Sequence, residues 1–129
     1  MHFSFKKVQR LQNSNDFKTV FDSPDFKIFN KNLLILASEN SQQKKSRLGL
    51  VVAKKHIKLA VKRNKLKRIF RESFRCNQFH LLNLDIILIV RNDISEISNL
   101  TLNDDLNKMW KKLLYFQSKK VKFKKNMVK

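Results

Sequence analysis

The sequence predicts an α+β fold, a single domain in which three helices pack on one mostly buried four-stranded sheet. Three observations carry that prediction. The 129 residues suit one domain with a hydrophobic core of its own. The apolar spacing changes along the chain in the order helix, three strands, helix, strand, helix. Strand-like runs near 47–54 and 85–91 are joined through a helix, the pattern of a parallel β-α-β unit.

The first helix is expected over Asn15 to Phe21, with Ser14 as N-cap and Phe17, Val20 and Phe21 on one face. Pro24 and its polar neighbours end it. Two β-rich stretches follow, Phe26 to Phe29 and Asn32 to Ser38, and the polar run Glu39 to Ser46 reads as a connection. Arg47 to Lys54 reads as a buried strand. The only glycine, Gly49, sits in it and marks a bulge or a close backbone approach. The second helix is expected over Leu59 to Cys76, with no glycine or proline to interrupt it. Asp85 to Arg91 is a short continuous apolar run, the mark of a strand buried on both faces. The last helix is expected over Leu102 to Phe116, capped by Thr101, with Asp104 and Asp105 near its positive end. Leu102, Leu106, Met109, Trp110, Leu113 and Leu114 form its apolar stripe. Residues 1–118 therefore read as one domain and 119–129 as a mobile basic tail.

The net charge is +19, which favours a polyanionic partner, because so large a surplus repels itself in a compact chain. Its distribution says more than its size. Lysine is abundant throughout, as compositional drift would make it, but residues 54–75 hold ten basic side chains against Glu72 alone. Residues 76–117 are nearly balanced, with four basic and five acidic. Four of the seven arginines, Arg63, Arg68, Arg71 and Arg75, fall in one 13-residue stretch. Arginine offers phosphate a planar fork of donors that lysine lacks. The lone cysteine, Cys76, excludes an internal disulfide and fits a reducing compartment. The N-terminus has no apolar signal core, and no apolar run approaches the ~20 residues of a membrane span. The expected location is the cytoplasm, without membrane association.

On a helical wheel with Arg63 at 0°, Lys67, Arg71, Asn64, Arg75 and Arg68 fall between about 40° and 140°. Leu66, Ile69, Phe70 and Phe74 fall between about 240° and 20°, so one stripe packs inward while another presents stacked cations. A charged helix face is ordinarily just solvated. This one carries a single sign, and like charges four residues apart, as in Arg63/Lys67 and Arg71/Arg75, destabilise a helix. Lys54, Lys55 and Lys58 extend the cationic surface ahead of the helix.

The run Lys54-Lys55, then Ala60 to Arg75 with Arg63, Asn64, Lys65, Lys67, Arg68 and Arg71, resembles the signature helix of the bacterial ribonuclease P protein family. The resemblance extends to Arg47–Lys55, to Asp16–Phe21, to Leu84–Arg91 and to Leu106–Leu113, and covers roughly residues 10 to 116. It departs at Lys65, where the family has arginine, and at Asn92 and Asp93, where the family often has lysine or glycine. Lysine keeps the charge at 65 without the fork, and position 65 lies near 200°, off the cationic arc.

The resemblance implies a four-stranded sheet with three helices and a left-handed β-α-β crossover, where patterning alone favours the right-handed one. It implies the non-catalytic subunit of an endoribonuclease that removes the 5′ leader of precursor tRNA. The catalytic RNA subunit would perform the hydrolysis with Mg2+, and no organic cofactor or obligate protein partner is expected. Carried over residue by residue, Lys54, Lys55, Arg63, Asn64, Lys67, Arg68 and Arg71 would bind the catalytic RNA. Phe17 and Phe21, with Leu34 and Leu36, would line a cleft for the leader of precursor tRNA. Taken alone, aromatic residues at i and i+4 more often belong to a core.

Three other readings compete. A ribosomal or other structural RNA-binding protein would use the same basic helix. A peripheral membrane binder would need residues 59–75 free as an amphipathic helix. A self-sufficient nuclease would need clustered acidic metal ligands, and only ten acidic residues exist. Cys76 and His80 stand at i,i+4, but a structural zinc takes four ligands.

Overall fold

The seven residues of Leu84–Val90 decide the architecture. They form the strand β4, buried at every position except the half-buried Ile89, and a strand with no polar face must lie inside a sheet. The computed structural model describes residues 10–11, 14–40, 45–78, 80–81 and 83–119. Their elements are α1 (Ser14–Asp22), β1 (Phe26–Phe29), β2 (Leu33–Glu39), β3 (Arg47–Val51), α2 (Ala60–Asn77), β4 and α3 (Asn99–Lys119). The four strands form one sheet in the order β1-β2-β4-β3. β4 pairs antiparallel with β2 and parallel with β3, so β3-α2-β4 is the expected parallel unit.

Period-two alternation divides the sheet into two faces. Phe26 and Ile28, Leu33, Ile35 and Ala37, Leu48, and Ile86, Leu88 and Val90 belong to the larger core, which α2 and α3 close with Leu66, Phe70, Phe74, Leu106, Trp110 and Leu113. Inside it the Trp110 indole Nε1 donates to Ser73 Oγ at 2.8 Å, which satisfies the one polar group that the ring brings in. The opposite face is smaller. Leu36 and Ile87 are buried there with Val20 of α1 and with Leu11.

A polar network holds α1 on that second face. Arg47 and Asp85 are cross-strand partners. The guanidinium donates from Nε and from Nη2 to the two carboxylate oxygens, both at 2.8 Å. Its Nη1 reaches Asp16 of α1 at 3.4 Å, and Asn40 Nδ2 donates to Asp85 at 2.9 Å. The hydrogen bonds to Asp85 raise the Arg47 pKa against the opposing effect of burial. At the other end of α1, Ser38 Oγ donates to the Ser23 carbonyl at 3.0 Å. Asp25 accepts from the Glu39 amide at 2.9 Å.

Several boundaries move. α3 begins at Asn99, because Ser98, not Thr101, is its cap: Ser98 Oγ accepts from the Thr101 amide at 3.1 Å. Asp104 and Asp105 consequently lie beyond the first turn, which has no acidic residue. Ser14 is inside α1 rather than ahead of it. β3 stops at Val51, and Lys54 and Lys55 stand in a turn whose His56 and Ile57 amides both donate to the Ala53 carbonyl. Leu59 is the extended residue before α2. Lys119 ends α3 instead of opening a tail, and 120–129 lie outside the described residues. No helix among the described residues is long and apolar enough to cross a membrane.

Arg47→Ala should strip Asp85 of its bidentate partner while leaving the carboxylate buried. Unfolding in urea should show a loss of about 3 kcal/mol. A loss below about 0.5 kcal/mol would mean that the pair behaves like an exposed one.

Candidate nucleic-acid interface

α2 buries Leu66, Phe70, Ser73 and Phe74 against the core. This orientation turns Asn64 and Arg68 fully outward and leaves Lys67, Arg71 and Arg75 half-buried at the flank. Arg63 is placed differently. Its Nη1 donates to the carbonyls of Ile57 and Lys58, each at 2.9 Å. It therefore ties the segment after the Lys54–Lys55 turn to the first turn of the helix. Lys54 and Lys55 are exposed beside that segment. No side chain caps the amino end of α2, so its positive dipole end adds to the cationic field.

The chain before α1 completes the surface. Arg10 bridges to Leu48 in parallel, and the Leu11 amide donates to the Leu48 carbonyl at 3.1 Å. This brings Arg10 against α2. Arg10, Asn64, Arg68, Arg71, Glu72 and Arg75 line a groove of about 450 Å³. Burial pushes the Arg71 pKa down, and the nearby Arg10 charge pushes it the same way. Glu72 offsets part of the repulsion by accepting from both Nε and Nη2 of Arg75. That hydrogen bonding holds the Glu72 carboxyl below its usual range and raises Arg75.

A second, smaller hollow of about 150 Å³ adjoins the first and shares Arg10 and Arg71 with it. Lys67, Phe17 and Gly49 also line it. Gly49 makes a close approach and not a bulge: its register to Ile87 is regular. A Cβ there would lie 2.6 Å from Phe17 Cζ and 3.1 Å from Leu11 Cδ1. The missing side chain of Gly49 is thus the seat of the Phe17 ring.

Beyond Phe17 the α1 face of the sheet is less deeply buried. Leu34, Ile89 and Val51 are cross-strand neighbours, half-buried and packed on the edge of the α1 cluster. Phe21 is 45% exposed and sits about 140° around α1 from Asp16, on the side away from the Arg47 tether. Leu36 lies one pleat nearer α1 and is 7% exposed. It supports the cleft from below and offers a ligand almost no surface. Of the expected residues, then, Asn64, Arg68 and Arg71 share a groove. Lys67 and Phe17 share the adjoining hollow, Phe21 is exposed on α1, Leu34 is half-buried at the edge of the α1 cluster, and Arg63 and Leu36 are structural in large part.

The comparisons with known proteins bear on the family and the fold. The family model described as Ribonuclease P matches residues 5–114. The chain belongs to the ribonuclease P protein family. It is 50% identical over 109 residues to the ribonuclease P protein component of Pseudomonas putida strain GB-1, covering 84% of this chain and 81% of that one. The component from Pseudomonas aeruginosa strain PAO1 is 47% identical over 110 residues, with 85% and 81% covered. The ribonuclease P protein structure from Staphylococcus aureus superposes with a TM-score of 0.76 at 30% identity, covering 83% of this chain and 96% of that one. The structure from Thermotoga maritima gives 0.67 at 32%, covering 79% and 96%.

Sequence reasoning missed three residues that line or border this surface. Val51 and Ile89 were legible in principle, since period two puts them on the same face as Leu34 once the register is known. Arg10 had no local signal, because only its pairing with Leu48 brings it to α2. Cys76 contacts Glu72 and Arg75, while His80 lines a hollow beside Trp110. Among the described residues no three His, Cys, Asp or Glu side chains converge on a metal-sized site.

Gly49→Ala should push Phe17 off its seat and destabilise the fold by about 1–3 kcal/mol. Adding Phe17→Leu should recover much of that loss, because the two positions share one space. Strictly additive losses in a double-mutant cycle would show that the ring is seated elsewhere.

Proposed function

We propose that this protein component binds the catalytic RNA of ribonuclease P through the α2 groove and the 5′ leader of precursor tRNA through the α1 cleft. The observation that carries this reading is the junction of two unlike surfaces at Arg10 and Arg71. One is a groove of guanidinium groups suited to phosphate oxygens. The other is a hollow where the Phe17 ring and aliphatic side chains meet Arg10, Lys67 and Arg71, suited to an unstacked base and its phosphate. A duplex binder has no use for the second surface, and a pure base-stacking protein has none for the first.

In this reading Arg68, Arg71 and Lys67 neutralise phosphates of the catalytic RNA, and Asn64 supplies both a donor and an acceptor. Lys54 and Lys55 extend the contact along the exposed turn. Arg63 contributes mainly by fixing that turn. Phe17, rigid on Gly49, and Phe21 offer ring faces to the leader, with Leu34, Ile89 and Val51 as the floor. The hydrolysis belongs to the RNA subunit and its Mg2+. The described residues offer no acidic cage for a divalent ion. Their contribution is to place the leader and to screen the charge of two RNAs brought close together. The endoribonuclease acts in the cytoplasm.

Reconstitution with the cognate RNA subunit tests the reading. The protein alone should leave precursor tRNA intact. With the RNA it should lower the magnesium needed for cleavage and favour precursor over mature tRNA. Unchanged cleavage at low magnesium would refute the proposal. Arg68→Ala should weaken binding to the RNA subunit, and Phe17→Ala should selectively weaken binding of leader-bearing substrate. The reverse pattern would exchange the two surfaces. With about six phosphates contacted, affinity for the RNA should fall about 10³-fold between about 50 and 200 mM salt.

A further inference from the structure

Among the described residues, the face of the sheet that carries α1 is only half covered. Gly49, Ile87 and Leu36, which are cross-strand neighbours, lie under the helix and are buried. The next row is Val51, Ile89, Leu34 and Phe29. Its first three members are the half-buried floor of the cleft. Its fourth, Phe29, is 58% exposed at the edge strand β1. The floor is therefore one end of an apolar strip that crosses all four strands. Three inter-strand gaps of about 4.8 Å put Phe29 about 14 Å from the β3 end.

Phe29 has cations above it. Lys27 Nζ stands 5.9 Å from the ring centroid and Arg91 Cζ 5.5 Å from it. Arg91 is held there by its Nη1, which donates to the Asn30 carbonyl at 2.7 Å. Over the edge of β1, a groove of about 410 Å³ runs between Phe29 and α3, lined by Met109, Lys108, Lys111 and Lys112, with Asp105 the one acid. The segment 76–117 is nearly neutral, yet all four of its basic side chains gather at this patch. An exposed ring fenced by guanidinium and ammonium groups matches a ligand that alternates flat aromatic bases with phosphates.

We propose that Phe29, Lys27, Arg91, Lys108 and Lys112 form a second subsite for single-stranded RNA. It takes leader nucleotides farther from the cleavage point than those in the α1 cleft. This rests on the leader reading given above, because the strip reaches Phe29 only by way of that cleft. Phe29 stacks on a base, Arg91 and Lys27 stiffen and charge the platform, and Lys108 and Lys112 hold the phosphates where the strand turns over the sheet edge. The site is indifferent to base identity, since every base has a π face.

The test uses the reconstituted holoenzyme and precursor tRNAs with leaders of about 2, 5 and 12 nucleotides, a range set by the usual size of single-strand sites. The variants are Phe29→Ala, Phe29→Trp and the pair Lys108→Ala with Lys112→Ala. In the unaltered holoenzyme, affinity should rise from the shortest to the middle leader and again to the longest. Phe29→Ala should remove the second rise, weakening the longest leader about tenfold and leaving the other two as they were. Phe29→Trp should keep the second rise, and the lysine pair should reduce it and flatten its salt dependence. Because Phe29 is exposed, these variants should melt with the parent, and the melting curve checks that. If Phe29→Ala binds all three leaders as the parent does, the subsite does not exist. If it weakens all three equally, the patch serves the RNA subunit or the tRNA body, and the proposal again falls. A first rise without a second in the parent refutes the subsite and leaves the cleft standing. No rise at all refutes the leader reading itself.

Discussion

The placement of α1 on the open face of the sheet depends on one largely buried ion pair. Arg47 and Asp85 face each other across the parallel strands, and the guanidinium has one arm left for Asp16. That arm fixes the near end of α1, and Ser38 and Asp25 fix the far end through the turn that follows. Asp85 is taken out of water and Arg47 partly so, a cost that attraction alone only roughly repays. What the arrangement secures is placement. With Asp16 drawn to one side, Phe17 drops onto Gly49, and Phe21, one turn further along the same face, stays partly exposed. Without this tether, only the Phe17 seat at Gly49 and the Ser38 and Asp25 bonds at the far end would position the helix on the sheet.

The two faces of the sheet divide the work. The larger core supplies stability, with Trp110, Phe70, Phe74 and the inner residues of β2 and β4 fully buried. Because that core anchors α2 through Leu66, Phe70 and Phe74, the helix tolerates a row of like charges on its outer side. Repulsion between neighbours costs a few tenths of a kcal/mol per pair, small against the burial of several large side chains. The field at Arg71 is stronger than the helix alone would make it, because Arg10 comes from a different part of the chain. Glu72 relieves it at the far end of the groove and not at the centre.

The elements were legible because each has its own period and ends at identifiable residues. β4 could be read as central from its unbroken apolar run, and α2 as two-faced from the spacing of Leu66, Phe70 and Phe74 against Arg68 and Arg71. The cap of α3 was misread because Ser98 and Thr101 are both good capping residues three apart, and only the observed bond from the Thr101 amide chooses between them. Leu36 and Leu34 look alike in sequence. The difference between them is a single pleat, one under α1 and one beyond its edge. Arg63 looked like its neighbours on the wheel, yet the carbonyls of Ile57 and Lys58 claim one of its nitrogens.

Sequence alone determined the composition of each surface: a single-signed arc on α2, aromatic residues on α1, and an apolar run through β4. These follow from periodicity, which is a local property of the chain. The tertiary structure decided which of these residues meet. Arg10 joins Arg71 through a bridge to β3, Phe17 finds the gap left by Gly49, and Val51, Ile89, Leu34 and Phe29 line up from four strands. The physical reason is register. Contacts between segments far apart in the chain depend on how strands are paired and where a helix is tethered, and no local pattern encodes either.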